Sequence, residues 1–186
     1  SMEEPGFLRE AGIELPMYFD QGMYSWNHLA GAAMERYGAD RLTIPVELNE
    51  REIRDSGVQG EMIVYGYLPM MISAQCIRKT TLGCSGKSEI MWLKDRKDMR
   101  FPVVNQCRFC YNTIYNSAPL SLLGLSEQVT GLKPNAVRLN FTVEEPAAAG
   151  EILDAFFEEY GMSEKAAEPP VLRNQFTRGH FKRGVE

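Results

Sequence analysis

The sequence predicts an α/β fold on a parallel sheet, and three observations carry that prediction. Short apolar, partly β-branched runs alternate with stretches of helical periodicity, as βα units do. Helix-stopping glycines and a helix-opening Asn–Glu pair fall between those runs. One long interruption, between the third and fourth predicted strands, holds all four cysteines.

Taken in order, residues 17–19 form the first strand. A helix over residues 27–37 follows, with Leu29, Ala33 and Tyr37 on one stripe and Gly38 just past its end. Residues 41–46 are the second strand. Asn49 with Glu52 three residues on predicts a capping pair that opens a short helix. Residues 61–66 are a third strand, apolar enough for burial on both faces, and residues 136–141 a fourth. Pro146 sits where a first helical turn tolerates it. Ile152, Leu153, Phe156 and Tyr160 follow at helical spacing, and Gly161 can end that helix. The domain plan is therefore residues 1–162 as a β/α domain with an insertion at about 74–118, then residues 163–186 as a linker and basic tail.

Inside the insertion, Ile90 and Trp92 alternate with polar residues, as do Phe101 and Val103, around the turn-like Asp95-Arg96-Lys97-Asp98. This predicts an exposed hairpin whose paired residue numbers sum to about 193. Extended outward, that register sets Cys84 opposite Phe109, between Cys107 and Cys110, at the C-terminal edge of a parallel strand.

The cysteines read Cys76-x7-Cys84-x22-Cys107-x2-Cys110. Four soft thiolates with no histidine nearby suit an iron–sulfur cluster or zinc. A zinc ribbon favours two close pairs, which the x7 spacing does not give. Buried, inert cysteines and a two-cysteine redox motif are the simpler alternatives.

The chain carries a net charge of −5, which argues against indiscriminate nucleic-acid binding. The charge is uneven. Residues 76–110 hold 8 basic and 3 acidic side chains, whereas residues 1–75 hold 5 and 12. Solvated loops or an anionic partner near the cysteines both account for such an island. Asp20 and Glu47, near strand ends, are candidate substrate-pocket residues, with a helix cap or salt bridge as the plainer role. Arg178, His180 and Arg183, beside Phe181, have a composition that can grip phosphate and stack on a base, or simply dock a tail. No apolar run is long enough to span a membrane, and the first residues lack a signal peptide's pattern, which predicts a cytoplasmic location. Ser1 before Met2 reads as a tag-removal scar, and so suggests an excised piece of a longer protein. No Gly-x-Ser-x-Gly elbow or His-Glu-x-x-His helix supports peptidase chemistry.

Several segments resemble the peptidase U32 family, the collagenase-like proteases: VYGYLPMMISAQC (64–76), LKDRKDMRFPV (93–103), CRFCYNTIYNSAPLSLLG (107–124), VRLNFT (137–142) and FTRGHFKRGVE (176–186). With weaker likeness upstream the resemblance runs from about Pro16 to the end, and is strongest to the later part of long members. It implies a partial, half TIM-like (β/α)8 barrel whose N-terminal half lies elsewhere in the full-length chain. It also implies a [4Fe–4S] cluster on Cys76, Cys84, Cys107 and Cys110. Despite the family's name, it further implies oxygen-independent hydroxylation of bases in tRNA or rRNA, or of the ubiquinone ring. A peptidase acting on proteins and a non-catalytic assembly half-domain, able to pair as a homodimer, are the other readings. The resemblance assigns no catalytic residue.

Overall fold

A computed structural model describes residues 3–162 and 176–184. Helix α1 (Glu4–Glu10) opens the chain with Pro5 in its first turn. Strand β1 (Tyr18–Phe19) leads through a 3-10 turn at Gln21–Met23 into α2 (His28–Tyr37). Asn27 caps α2 through its side chain to the Ala30 N–H, and Gly38, at φ +120°, ends it. Strand β2 (Arg41–Leu42) runs parallel to β1 in the register Tyr18↔Arg41. Helix α3 (Glu50–Ser56) starts on the reciprocal capping box of Asn49 and Glu52. Then come β3 (Glu61–Gly66), β4 (Pro69–Ser73), α4 (Ile77–Leu82), β5 (Ile90–Lys94), β6 (Arg100–Gln106), β7 (Tyr111–Tyr115) and β8 (Leu120–Ser121). Helix α5 (Ser126–Gly131), strand β9 (Ala136–Asn140) and helix α6 (Pro146–Glu159) complete the described elements.

The fold is mixed α/β with several small sheets, and the described residues form no closed barrel. The strands divide into β1-β2, β8-β3-β9 and β4-β7-β6-β5. Contacts separate the chain into two units. One comprises Ser1–Val64, Gly124–Leu139 and Arg178–Glu186, the other Tyr65–Leu123 and Asn140–Thr177, each in its described part.

In the first unit, Phe19, Ala39, Leu42 and Val58 form a core joined by Met17, Met34 and Tyr37. The alternation of a strand sends Phe19 and Leu42 into that core and leaves Tyr18 and Arg41 exposed. Helix α2 packs through Gly31, where an added Cβ would lie 3.4 Å from Val58, so the predicted stripe needs correcting. Leu29 is exposed, while Ala33 and Tyr37 are half-buried, because the helix approaches through its glycine. A parallel bridge joins Thr43 to Glu61, so β2 and β3 begin the parallel arrangement that the sequence predicts.

In the second unit, Tyr65 and Gly66 at the end of β3 pair antiparallel with Ser121 and Leu120. The insertion is larger than a hairpin. Strands β5 and β6 pair as expected, but their residue numbers sum to 194 (Ile90↔Val104, Lys94↔Arg100), not 193. Strands β7 and β4 extend them into a four-stranded antiparallel sheet. The expected α6 is present, with Ile152, Ala155 and Phe156 buried, although Leu153 is exposed.

Residues 176–184 are docked in part. Thr177, in the second unit, bridges Leu120, and its N–H donates to Pro119 O. In the first unit the Glu50 N–H donates to the Phe181 carbonyl, and Phe181 is only 4% exposed. The predicted linker over 163–170 lies outside the described residues. No described helix is long and apolar enough to cross a membrane.

Candidate metal centre

Each cysteine stands at the end of a regular element. Cys76 follows β4 and is the N-cap of α4, its sulfur accepting the Lys79 N–H at 3.4 Å. Cys84 comes two residues after Leu82, the last residue of that six-residue helix. Cys107 and Cys110 bound the turn joining β6 to β7. Cys110 has a left-handed backbone, φ +55°, uncommon for a residue with a Cβ.

This placement corrects two expectations. The thiols are not at the edge of a parallel strand. The chain leaves β3 at Gly66 and runs the length of antiparallel β4 before reaching Cys76, a span of about 17 Å for five residues. Nor does an extended ladder bring Cys84 to its partners: β6 ends at Gln106, where the turn begins. The turn and α4 gather the sulfurs instead.

They do gather. Burial pushes the Cys107 thiol above the ordinary thiol range, and Cys84 pushes it further, from close enough to share a side-chain hydrogen bond. Cys110 and Cys76 act in the same direction. All four thiols are free, Cys76 and Cys107 half-buried, Cys84 and Cys110 exposed. Among the described residues no group of three or more His, Cys, Asp or Glu side chains is arranged to hold a single metal ion. The four sulfurs thus form a neighbourhood centred on Cys107 rather than one ion's coordination shell.

Around them lies a fastening network that sequence reasoning missed. Arg78 on α4 donates to the Glu89 carboxylate at 2.8 Å and to the Gly83 carbonyl at 3.0 Å. Ser85 donates to the same Glu89 oxygen, and these donors hold the Glu89 carboxyl below its usual range. The Cys107 N–H donates to Ser88 Oγ. The signal was polar residues packed between cysteines, a pattern easily taken for solvated loop.

The other predicted site residues lie apart from the thiols. Asp20, in the first unit, lines a cavity of about 470 Å³ with Tyr18, Arg41, Thr43, Glu61 and Arg138. Arg138 on β9 reaches Asp20 at 2.6 Å and Glu61 at 3.1 Å, and Asp20 also accepts the Gln21 N–H. Both of the plainer roles, cap and salt bridge, are therefore present. Glu47 is not among the residues lining this cavity, because β2 ends five residues earlier; one of its carboxylate oxygens is buried without a hydrogen-bond partner. In the tail, His180 Nδ1 lies 2.8 Å from the Gly184 carbonyl, which can only accept, so this nitrogen carries a proton. The Arg178 guanidinium lies beside Gly124, and Arg183 is exposed.

Burial tends to raise the Asp20 carboxyl, but Arg138 and the Gln21 N–H outweigh it and hold it below its ordinary value of 3.8. A depressed native pKa adds stability above the unfolded-state value and loses it as pH falls through the native one. The Asp20 side chain is 64% exposed, so Asp20→Asn is expected to cost less than ~1 kcal/mol at neutral pH. Urea denaturation at neutral pH and at about pH 2 should show the difference shrinking in acid.

Compared with models of known protein families, with curated proteins and with solved structures, the chain matches none.

Proposed function

We propose that Cys76, Cys84, Cys107 and Cys110 hold an iron–sulfur cluster of the [4Fe–4S] type in an enzyme that hydroxylates RNA bases without oxygen. The observation that carries the metal reading is that Cys107 has the other three thiols for neighbours. A cubane cluster takes each cysteine on a different iron, so four sulfurs spread about a centre suit it better than zinc, which needs one tight shell. A bound cluster would supply electron transfer or Lewis acidity. The chain's own part is to present the thiolates and to keep Cys107 partly out of water. Iron and sulfide content with an absorption spectrum, measured on protein purified without oxygen, tests this reading; absence of both would overturn it.

The RNA part rests on the U32 resemblance and on the charge around the thiols. Lys94, Arg96, Lys97 and Arg100 are all exposed at the hairpin end, and exposed Trp92 offers a stacking surface. Affinity for tRNA or rRNA is expected to fall steeply with salt. Arg96→Glu with Lys97→Glu should flatten the log–log slope by roughly 0.7 for each phosphate no longer neutralised. An unchanged slope would remove these cations from the interface.

The finer fold reading, half of a (β/α)8 barrel completed by strands outside this sequence, draws support from the parallel β1-β2 pair and the Thr43–Glu61 bridge. An assembly role is the second reading. Adjacent Met70, Met71 and Ile72 are exposed on β4, the edge of its sheet, which favours association of copies. Light scattering distinguishes a monomer from a dimer.

A further inference from the structure

We infer that two buried asparagines, Asn105 and Asn112, are positioning residues that hold the two cysteine-bearing arms against the antiparallel sheet, an inference that rests on the thiolate-centre reading. They are direct cross-strand partners on β6 and β7, and are 1% and 0% exposed. A buried amide in a sheet must place its polar atoms or destabilise the fold. Each of these spends them on a different arm.

Asn112 donates through Nδ2 to the Ser73 and Gln75 carbonyls, at 3.4 and 2.6 Å, immediately before Cys76. Asn105 accepts the Glu89 N–H on Oδ1 and donates through Nδ2 to the Lys87 carbonyl at 3.2 Å. Glu89 in turn holds Arg78, which holds the Gly83 carbonyl next to Cys84. One chain of bonds therefore runs from Asn112 to Cys76, and a second from Asn105 through Glu89 and Arg78 to Cys84. Both start on the strands that flank the Cys107–Cys110 turn. Apolar side chains at these two positions would fill the space without reaching either arm.

The test uses Asn112→Ala, Asn105→Ala and, as a surface variant that leaves the sheet interior intact, Arg78→Ala. Hydrogen exchange is followed on the metal-free chains at residues 73–80 and 83–89. Asn112→Ala is expected to speed exchange about tenfold in the first arm and to spare the second, the size of one lost hydrogen bond. Asn105→Ala and Arg78→Ala should do the reverse. General destabilisation would speed both arms together, and that result, or no change in either, overturns the proposal. Titration with Co2+ alone reports on the centre separately, with affinity expected to fall roughly 10–100-fold in each variant. Crossed exchange effects in a parent chain that binds no Co2+ would keep the positioning roles and count against the thiolate centre.

Discussion

Cys107→Ser is expected to abolish cluster assembly while leaving the protein folded. Cys107 is the one thiol whose environment records all three others, and it is less exposed than Cys84 or Cys110. Removing its sulfur takes away the shared neighbour, whereas serine keeps the size and the Cys107 N–H bond to Ser88. After anaerobic reconstitution the parent should carry about four irons per chain and the variant fewer than about one. Circular dichroism should be unchanged. A variant with full iron content would show that this sulfur is not a ligand, and would undo the choice of ligand set.

Gly66→Ala should be the most damaging single-methyl change in the second unit. Gly66 ends β3 at φ +149°, a conformation essentially reserved for glycine. A Cβ there would stand 2.4 Å from the Asn140 carbonyl oxygen and 2.9 Å from its Cβ. The backbone conformation alone costs about 1–3 kcal/mol for another residue. The clash adds to that, because the obstructing atom is backbone and cannot rotate away. Denaturant unfolding should show a loss of at least ~3 kcal/mol, or a chain recovered only as aggregate. A loss under about 1 kcal/mol would mean that β3 and Asn140 are not in this close approach.

The sequence was a good guide to elements whose cause is local. Asn49 with Glu52, Pro146 and Gly38 each act within a few residues, and each marks a helix boundary in the structure. It was a poorer guide where pairing partners are distant. Strand β4 shows four exposed residues in a row and no alternation, so nothing in Pro69–Ser73 announces its pairing with Tyr111–Tyr115. Without β4 and β7, the cysteines were placed beside a parallel strand instead of at the far end of an antiparallel sheet. The candidate ligands themselves were legible because thiol chemistry narrows the choices. Their supports were not, since Asn105 and Asn112 look like ordinary polar strand residues until their partners, more than fifteen positions away, are known.

The left-handed turn position at Cys110 sets two demands against each other. Glycine would adopt that conformation more comfortably, by about 1 kcal/mol, but would bring no sulfur. Heat resistance is therefore a misleading yardstick for improving this chain. A library sorted on survival at high temperature would drift toward Cys110→Gly and select hardier proteins that had lost a ligand.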